Sequence, residues 1–159
     1  MKNHSLFLIN GPPNNVNDVF DWEGTFGGPF IKNKLWFFTD TRYHGFSNYV
    51  AGMFFNKNAG DITKWTYEPD LNKQAVADTN WKNASLRLTW QATPRNKFSA
   101  FHDDQLRCAN CTSGGSATSS PEANGRQTAH PNNFTQLTWT SAVTSRLLLE
   151  AGTGAHVLR

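Results

Sequence analysis

The chain has 159 residues, 38% of them hydrophobic, with fifteen Lys and Arg against twelve Asp and Glu. That length suffices for one domain with its own core, and a net charge of +3, scattered along the chain, excludes the clustered basic footprint of a nucleic-acid binder. Its apolar content is carried by rings, with six Trp and twelve Phe and few Val, Ile or Leu, so strands are favoured over long amphipathic helices.

In chain order, the first apolar run is 6–9. Like the run at 35–38 it falls far short of the roughly 20 residues of a membrane-spanning helix. It also lacks the length and the small-residue cleavage site of a signal peptide, so any export signal is expected outside this chain. The first strand is expected over 19–28, where glycines blur the pattern, and a turn near 29–33 follows. From Leu35 one parity then reads Leu35, Phe37, Thr39, Thr41, Tyr43 and the other Trp36, Phe38, Asp40, Arg42, His44. A long connection at about 47–79 precedes "NASLRLTWQA", whose Ala84, Leu86, Leu88 and Trp90 stand opposite Ser85, Arg87 and Thr89. That is a strand with one wet face. The compact turn "TPRN" leads to a fourth strand over 97–107, in which Phe98, Ala100 and His102 alternate with Ser99, Phe101 and Asp103. After a second long connection at about 108–131, a fifth strand is expected at 134–140, a turn at "SAVTS", and a sixth strand at 147–154.

These connections alternate short, long, short, long, short. A soluble sandwich has no reason to alternate in this way, whereas a barrel crossing a membrane puts every second connection on one side. The expected fold is therefore all-β: antiparallel up-and-down strands, about six strands of a transmembrane β-barrel, a fragment that is not closed. It forms one partial barrel domain over 1–159, with no plug. Trp36 and Phe38 then belong to the aromatic girdle, and the polar parity faces a hydrated lumen. Asp40, Arg42, His44, Arg87 and Asp103 are the candidate lumen-facing residues of a substrate pathway. In the first long loop, Trp65 and Tyr67 are candidate ligand contacts outside the cell, although packing of the loop itself would account for them equally well.

Several segments, "GTFGGPFIKNKLWFF", "YVAGMFFNKNAGD", "WTYEPD", "RLTWQATPRNKFSAFHDDQLRC" and "TWTSAVTSRLLLEAG", resemble in the same order the barrel of TonB-dependent outer-membrane transporters. The resemblance is to the Oar-like branch and covers most of 18–154. It implies a barrel of about twenty-two strands around an N-terminal plug, set in the bacterial outer membrane, energised through a TonB box, and taking up a substrate that it does not identify. The implied partners are outer-membrane lipid, the remaining strands and plug, and the TonB complex through an N-terminal part. Because this chain carries neither plug nor TonB box, it reads as a fragment of such a transporter, with Met1 an internal methionine of a longer protein.

The competing reading is a soluble or surface β-rich carbohydrate-binding module presenting Trp65, Tyr67, Trp81 and Trp90 to sugars. No enzyme, cofactor or metal site is expected. His102 and Asp104 share a parity but have no third partner at ligand spacing. Cys108 and Cys111 form one CxxC without a second pair, for which a small loop disulfide is favoured over free thiols or half a zinc site.

Overall fold

The computed structural model describes residues 14–159, the side chain of Ser113 excepted; the apolar run at 6–9 lies outside them. Six strands, β1 (Val16–Ile31), β2 (Leu35–Asn56), β3 (Pro69–Gln91), β4 (Asn96–Gly114), β5 (Gln127–Thr144) and β6 (Leu147–Leu158), and one 3-10 turn at Pro121–Ala123 make up the described elements. The strands form a single antiparallel sheet in the order β1-β2-β3-β4-β5-β6, each bonded to its neighbour in sequence, and the sheet is not closed. This is the up-and-down arrangement expected, with β1 and β6 as its edges. Among the described residues no helix is long and apolar enough to cross a membrane, which says nothing of strands.

The strands are longer than the alternation alone indicates. β2 runs 22 residues and β3 23, so the expected loop at 47–79 contracts to 57–68. Likewise β4 continues to Gly114 and β5 begins at Gln127, which reduces the loop at 108–131 to 115–126. Residues 69–79 are rich in Asp, Asn, Lys and Gln, and in 47–56 apolar residues fall on both parities, Tyr49, Met53 and Phe55 on one and Val50 and Phe54 on the other. A sheet ladder needs only backbone groups, so these residues pair without the apolar period that betrays a strand.

The short connections are tight for local reasons. Between β1 and β2, the Lys34 amide donates to the Ile31 carbonyl at 3.0 Å and Asn33 takes a positive φ of 61°, a conformation that Asn tolerates better than most residues. Pro29, expected to open this turn, lies inside β1 instead. An edge strand accommodates Pro29 because one side of its backbone has no ladder to serve, and a Cβ on Gly27 would stand 3.0 Å from both the Phe37 carbonyl oxygen and the Phe38 ring. At "TPRN" the Thr93 hydroxyl accepts from the amides of Arg95 and Asn96 at 3.3 and 3.1 Å. The last turn narrows to Ser145 and Arg146, because Ser141, Ala142 and Thr144 still pair with β6 across a bulge.

The chain divides into two compact units. One holds 14–19, Gly45–Thr79 and Ala109–Gln127. Within it Val50 and Ala75 are buried, and the Gln74 amide donates to the Val50 carbonyl at 3.0 Å. A Cβ on Gly115 would come within 2.7 Å of the Ala75 methyl, so only glycine fits there. The loop 57–68 is pinned by the Lys57 amide on the Glu68 carbonyl at 2.8 Å and by buried Asn58, whose amide group donates to the Thr66 carbonyl at 2.9 Å.

The other unit holds Phe20–His44, Asn80–Cys108 and Thr128–Arg159, and its two sheet faces differ in chemistry. On one, Phe26 and Phe30 pack against Phe37 with centroids 5.4 and 4.3 Å apart, and Leu35, Leu88, Trp90, Phe98 and Leu137 line a shallow groove. Trp22, Phe26, Leu86, Trp90 and Leu137 are among the large apolar side chains left exposed, while the buried hydrophobic residues described come down to Val50, Ala75 and Cys108. The other face of this unit carries hydrogen-bonded polar groups.

Candidate functional site

The polar face is built by parity. Asp21 and Glu23 on β1, Asp40, Arg42 and His44 on β2, Trp81, Asn83 and Ser85 on β3, and Gln105 and Arg107 on β4 fall at alternate positions and therefore on the same side. Arg42 donates from Nε and a terminal nitrogen to the two carboxylate oxygens of Asp21 at 2.9 and 2.5 Å, the forked geometry that a guanidinium favours. Asp40 accepts from the Ser85 hydroxyl and from the Asn83 amide, the latter at 3.1 Å. Ser85 is only 5% exposed whereas Leu86, its neighbour on the other face, is 44% exposed.

Beside this network the imidazole of His44 stacks on Trp81, with centroids 5.1 Å apart and planes 12° from parallel. The guanidinium of Arg107 lies 5.5 Å from the centroid of the same indole. His44 Nδ1 is buried and, among the described residues, has no hydrogen-bond partner. Glu23, Asp40, Arg42, His44, Trp81 and Asn83 enclose, with two further residues, a cleft of about 300 Å³. The polar row continues across the sheet, where the Asn132 amide donates to Gln105 at 3.3 Å and Asn132 Oδ1 meets His156 Nε2 at 2.8 Å.

Of the residues expected to line a substrate pathway, Asp40, Arg42 and His44 thus converge on one cleft. Arg87 and Asp103 share their face but not their cleft: the Arg87 guanidinium lies 5.1 Å from the Phe101 ring centroid, and Asp103 accepts from Gln105 at 2.5 Å. His102 and Asp104 turn to different partners, Thr135 at 2.8 Å and His130 at 3.7 Å. Among the described residues no group of three or more His, Cys, Asp or Glu is placed to hold a metal. What the cleft offers is hydrogen bonding, charge and an aromatic face to a small polar solute. Asp21, Glu23, Asn83 and Gln105 escaped the sequence reading, because what joins them to Asp40 is strand register.

The four rings of the sugar-binding reading do not make one platform. Trp81 stacks on His44 on the polar face, while Trp90 contacts Phe98 on the apolar one, with centroids 5.7 Å apart. In the loop 57–68, Trp65 is 92% exposed, whereas Tyr67 gives its hydroxyl to the Phe54 carbonyl at 3.0 Å. One loop ring is presented to solvent and the other closes the loop.

Cys108 and Cys111 are disulfide-bonded. The bond belongs to β4 and not to a loop. In an unbroken strand residues three apart point to opposite faces and cannot be bridged, but Asn110 between them adopts a positive φ of 55°. That kink returns the second cysteine toward the first. The amides of Cys111 and Thr112 then donate to the Asp78 carboxylate at 3.1 and 3.2 Å.

Comparison of the chain with protein-family models, with curated proteins and with solved structures found no match.

Proposed function

We propose that the chain supplies six strands to the barrel of a bacterial outer-membrane transporter or receptor of the TonB-dependent class, Oar-like branch, for uptake of a polar substrate. The observation that carries this reading is the two-faced sheet. Large apolar side chains stand exposed on one face, and a hydrogen-bonded row of polar and charged groups crosses the other. A bilayer outside and a hydrated lumen inside call for that division. Strands of 22 and 23 residues exceed the roughly 9–11 needed to cross the hydrocarbon, leaving length to project on the long-loop side. Each edge, β1 and β6, carries unpaired backbone groups that lipid cannot satisfy, so further strands are needed to close the barrel.

In this assignment Asp40, Arg42, His44, Arg87 and Asp103 face the pathway, and Trp65 meets ligands outside the cell. The partners are lipid, the remaining strands and plug, and the TonB complex through an N-terminal part; the chain performs no catalysis and binds no nucleic acid. Expression of the chain by itself tests the reading. Inclusion bodies, or β-rich material recovered only in detergent, are expected. A monodisperse monomer in detergent-free buffer with a cooperative thermal transition would overturn the assignment and favour a soluble carbohydrate-binding module.

A further inference from the structure

The short connections share a feature that the alternation of apolar and polar residues does not require. The β1–β2 turn carries Lys32 and Lys34, the β3–β4 turn Arg95 and the β5–β6 turn Arg146, all exposed. The stretches 24–39, 88–102 and 141–149 around them contain no Asp or Glu. Among the described residues the cations in ion pairs are Arg42, Lys57, Lys64 and His130, so these four have no carboxylate partner. Their turns are knitted together by the backbone: the Gln91 amide donates to the Lys34 carbonyl at 2.8 Å, and the Ala142 amide to the Arg95 carbonyl at 2.9 Å. Four cations therefore line one end of the sheet.

Immediately beside them the apolar face is grooved. A trough of about 400 Å³ runs between Leu35, Leu88, Trp90 and Phe98. A second, of about 350 Å³, lies over the small residues Ala151 and Thr153 of β6. Phe98 and Leu137 line both and form the ridge between them. Two adjoining apolar troughs on strands that lead into a row of unpaired cations match a molecule with two hydrocarbon chains and one anionic head.

We propose that this end of the apolar face is a binding site for an anionic phospholipid, with one acyl chain in each trough and the phosphate held by Lys34, Arg95 and Arg146. The proposal rests on the barrel reading, since it places this face in lipid. A zwitterionic headgroup fits less well, because its own cation would stand among these four; a soluble phosphate would leave the troughs empty.

The complete barrel of which this chain is proposed to form part, reconstituted in phosphatidylcholine vesicles, tests this by tryptophan quenching. A minor fraction of the lipid is dibrominated phosphatidylglycerol in one preparation and dibrominated phosphatidylcholine in another. The Trp90→Phe chain supplies the signal to subtract. Stronger quenching of Trp90 by the brominated anionic lipid is expected. Each of Lys34→Gln, Arg95→Gln and Arg146→Gln should lower that preference about fivefold, while Arg95→Lys retains it and quenching by brominated phosphatidylcholine stays constant throughout. Equal, efficient quenching by both lipids, or a preference that survives all three substitutions, would overturn the site and leave the barrel reading standing. Absence of quenching by either lipid would overturn the barrel reading and this proposal with it.

Discussion

Placing a charge at Leu86 tests the facing of the sheet most directly. From Gln91, where β3 ends, back to Leu86 the strand advances roughly 17 Å at ~3.4 Å per residue. A tilt of ~45° turns that into about 12 Å of depth, near the middle of a ~25 Å apolar band. Arginine on the lipid face at that depth costs about 2–4 kcal/mol, which is roughly a thirty- to seven-hundred-fold loss in the equilibrium between folded and denatured chain. Thr89→Arg serves as the control, since position 89 shares the parity of Ser85 and Arg87 on the wet face and should change stability by less than about 1 kcal/mol. The assay is guanidinium titration of the complete proposed barrel in phosphatidylcholine vesicles, followed by tryptophan emission, with both variants compared at one lipid ratio. Equal destabilisation by Leu86→Arg and Thr89→Arg would refute the two-solvent argument. The inverse order would mean that the faces are reversed, as a one-residue register slip produces.

Asp40→Ala removes the acceptor shared by Ser85 and Asn83 and strands a buried hydroxyl, so a loss of about 1.5–3 kcal/mol is expected in the same titration; Glu23→Ala, at the cleft rim, should cost far less. Mass spectrometry of the unreduced peptide containing Cys108 and Cys111 should show the loss of two hydrogens, and complete alkylation of both without reductant would contradict the bond. In the loop 57–68, the Thr63 hydroxyl and then its amide, both hydrogen-bonded to Asp61, hold that carboxyl below its ordinary value of 3.8. A carboxyl depressed in the folded loop stabilises it fully above the unfolded value, and the contribution fades as pH falls through the folded one. Protection of the Thr63 amide from hydrogen exchange should therefore hold at about pH 5 and fall toward about pH 2, a dependence that Asp61→Asn abolishes.

Alternation made the strand through Leu86 and Arg87 legible because its two faces differ in chemistry at every step. The same signal fails in 47–56, where apolar residues occupy both parities, and in 69–79, where polar residues do, and backbone pairing extends β2 and β3 through them. Glycine and proline at 27–29 signal a turn in most contexts, yet they sit within an edge strand, where a close ring and a one-sided ladder change what they mean. Asp40, Arg42 and His44 could be grouped from one strand's parity. Their tie to Asp21, Asn83 and Trp81 depends on register across three strands, which no single segment encodes. The cysteine pair was legible as a disulfide but not as a kinked strand, since Asn110 permits a left-handed backbone without requiring it.

Nearest-neighbour strand order also governs how such a sheet assembles. Every pairing joins segments adjacent in the chain, so contact order is low for an all-β fold and no crossover must wait for a distant partner. Three hairpins, β1 with β2, β3 with β4 and β5 with β6, close over turns of a few residues. Joining them requires closing only the loops 57–68 and 115–126, and each doubling of loop length adds just ~0.6 kcal/mol of entropic cost. In the proposed barrel each hairpin would present one apolar and one polar surface and so would orient at a membrane interface before its neighbours arrive. Growth then proceeds by adding whole hairpins to an open edge, and the order of addition is free to follow the order in which the chain emerges.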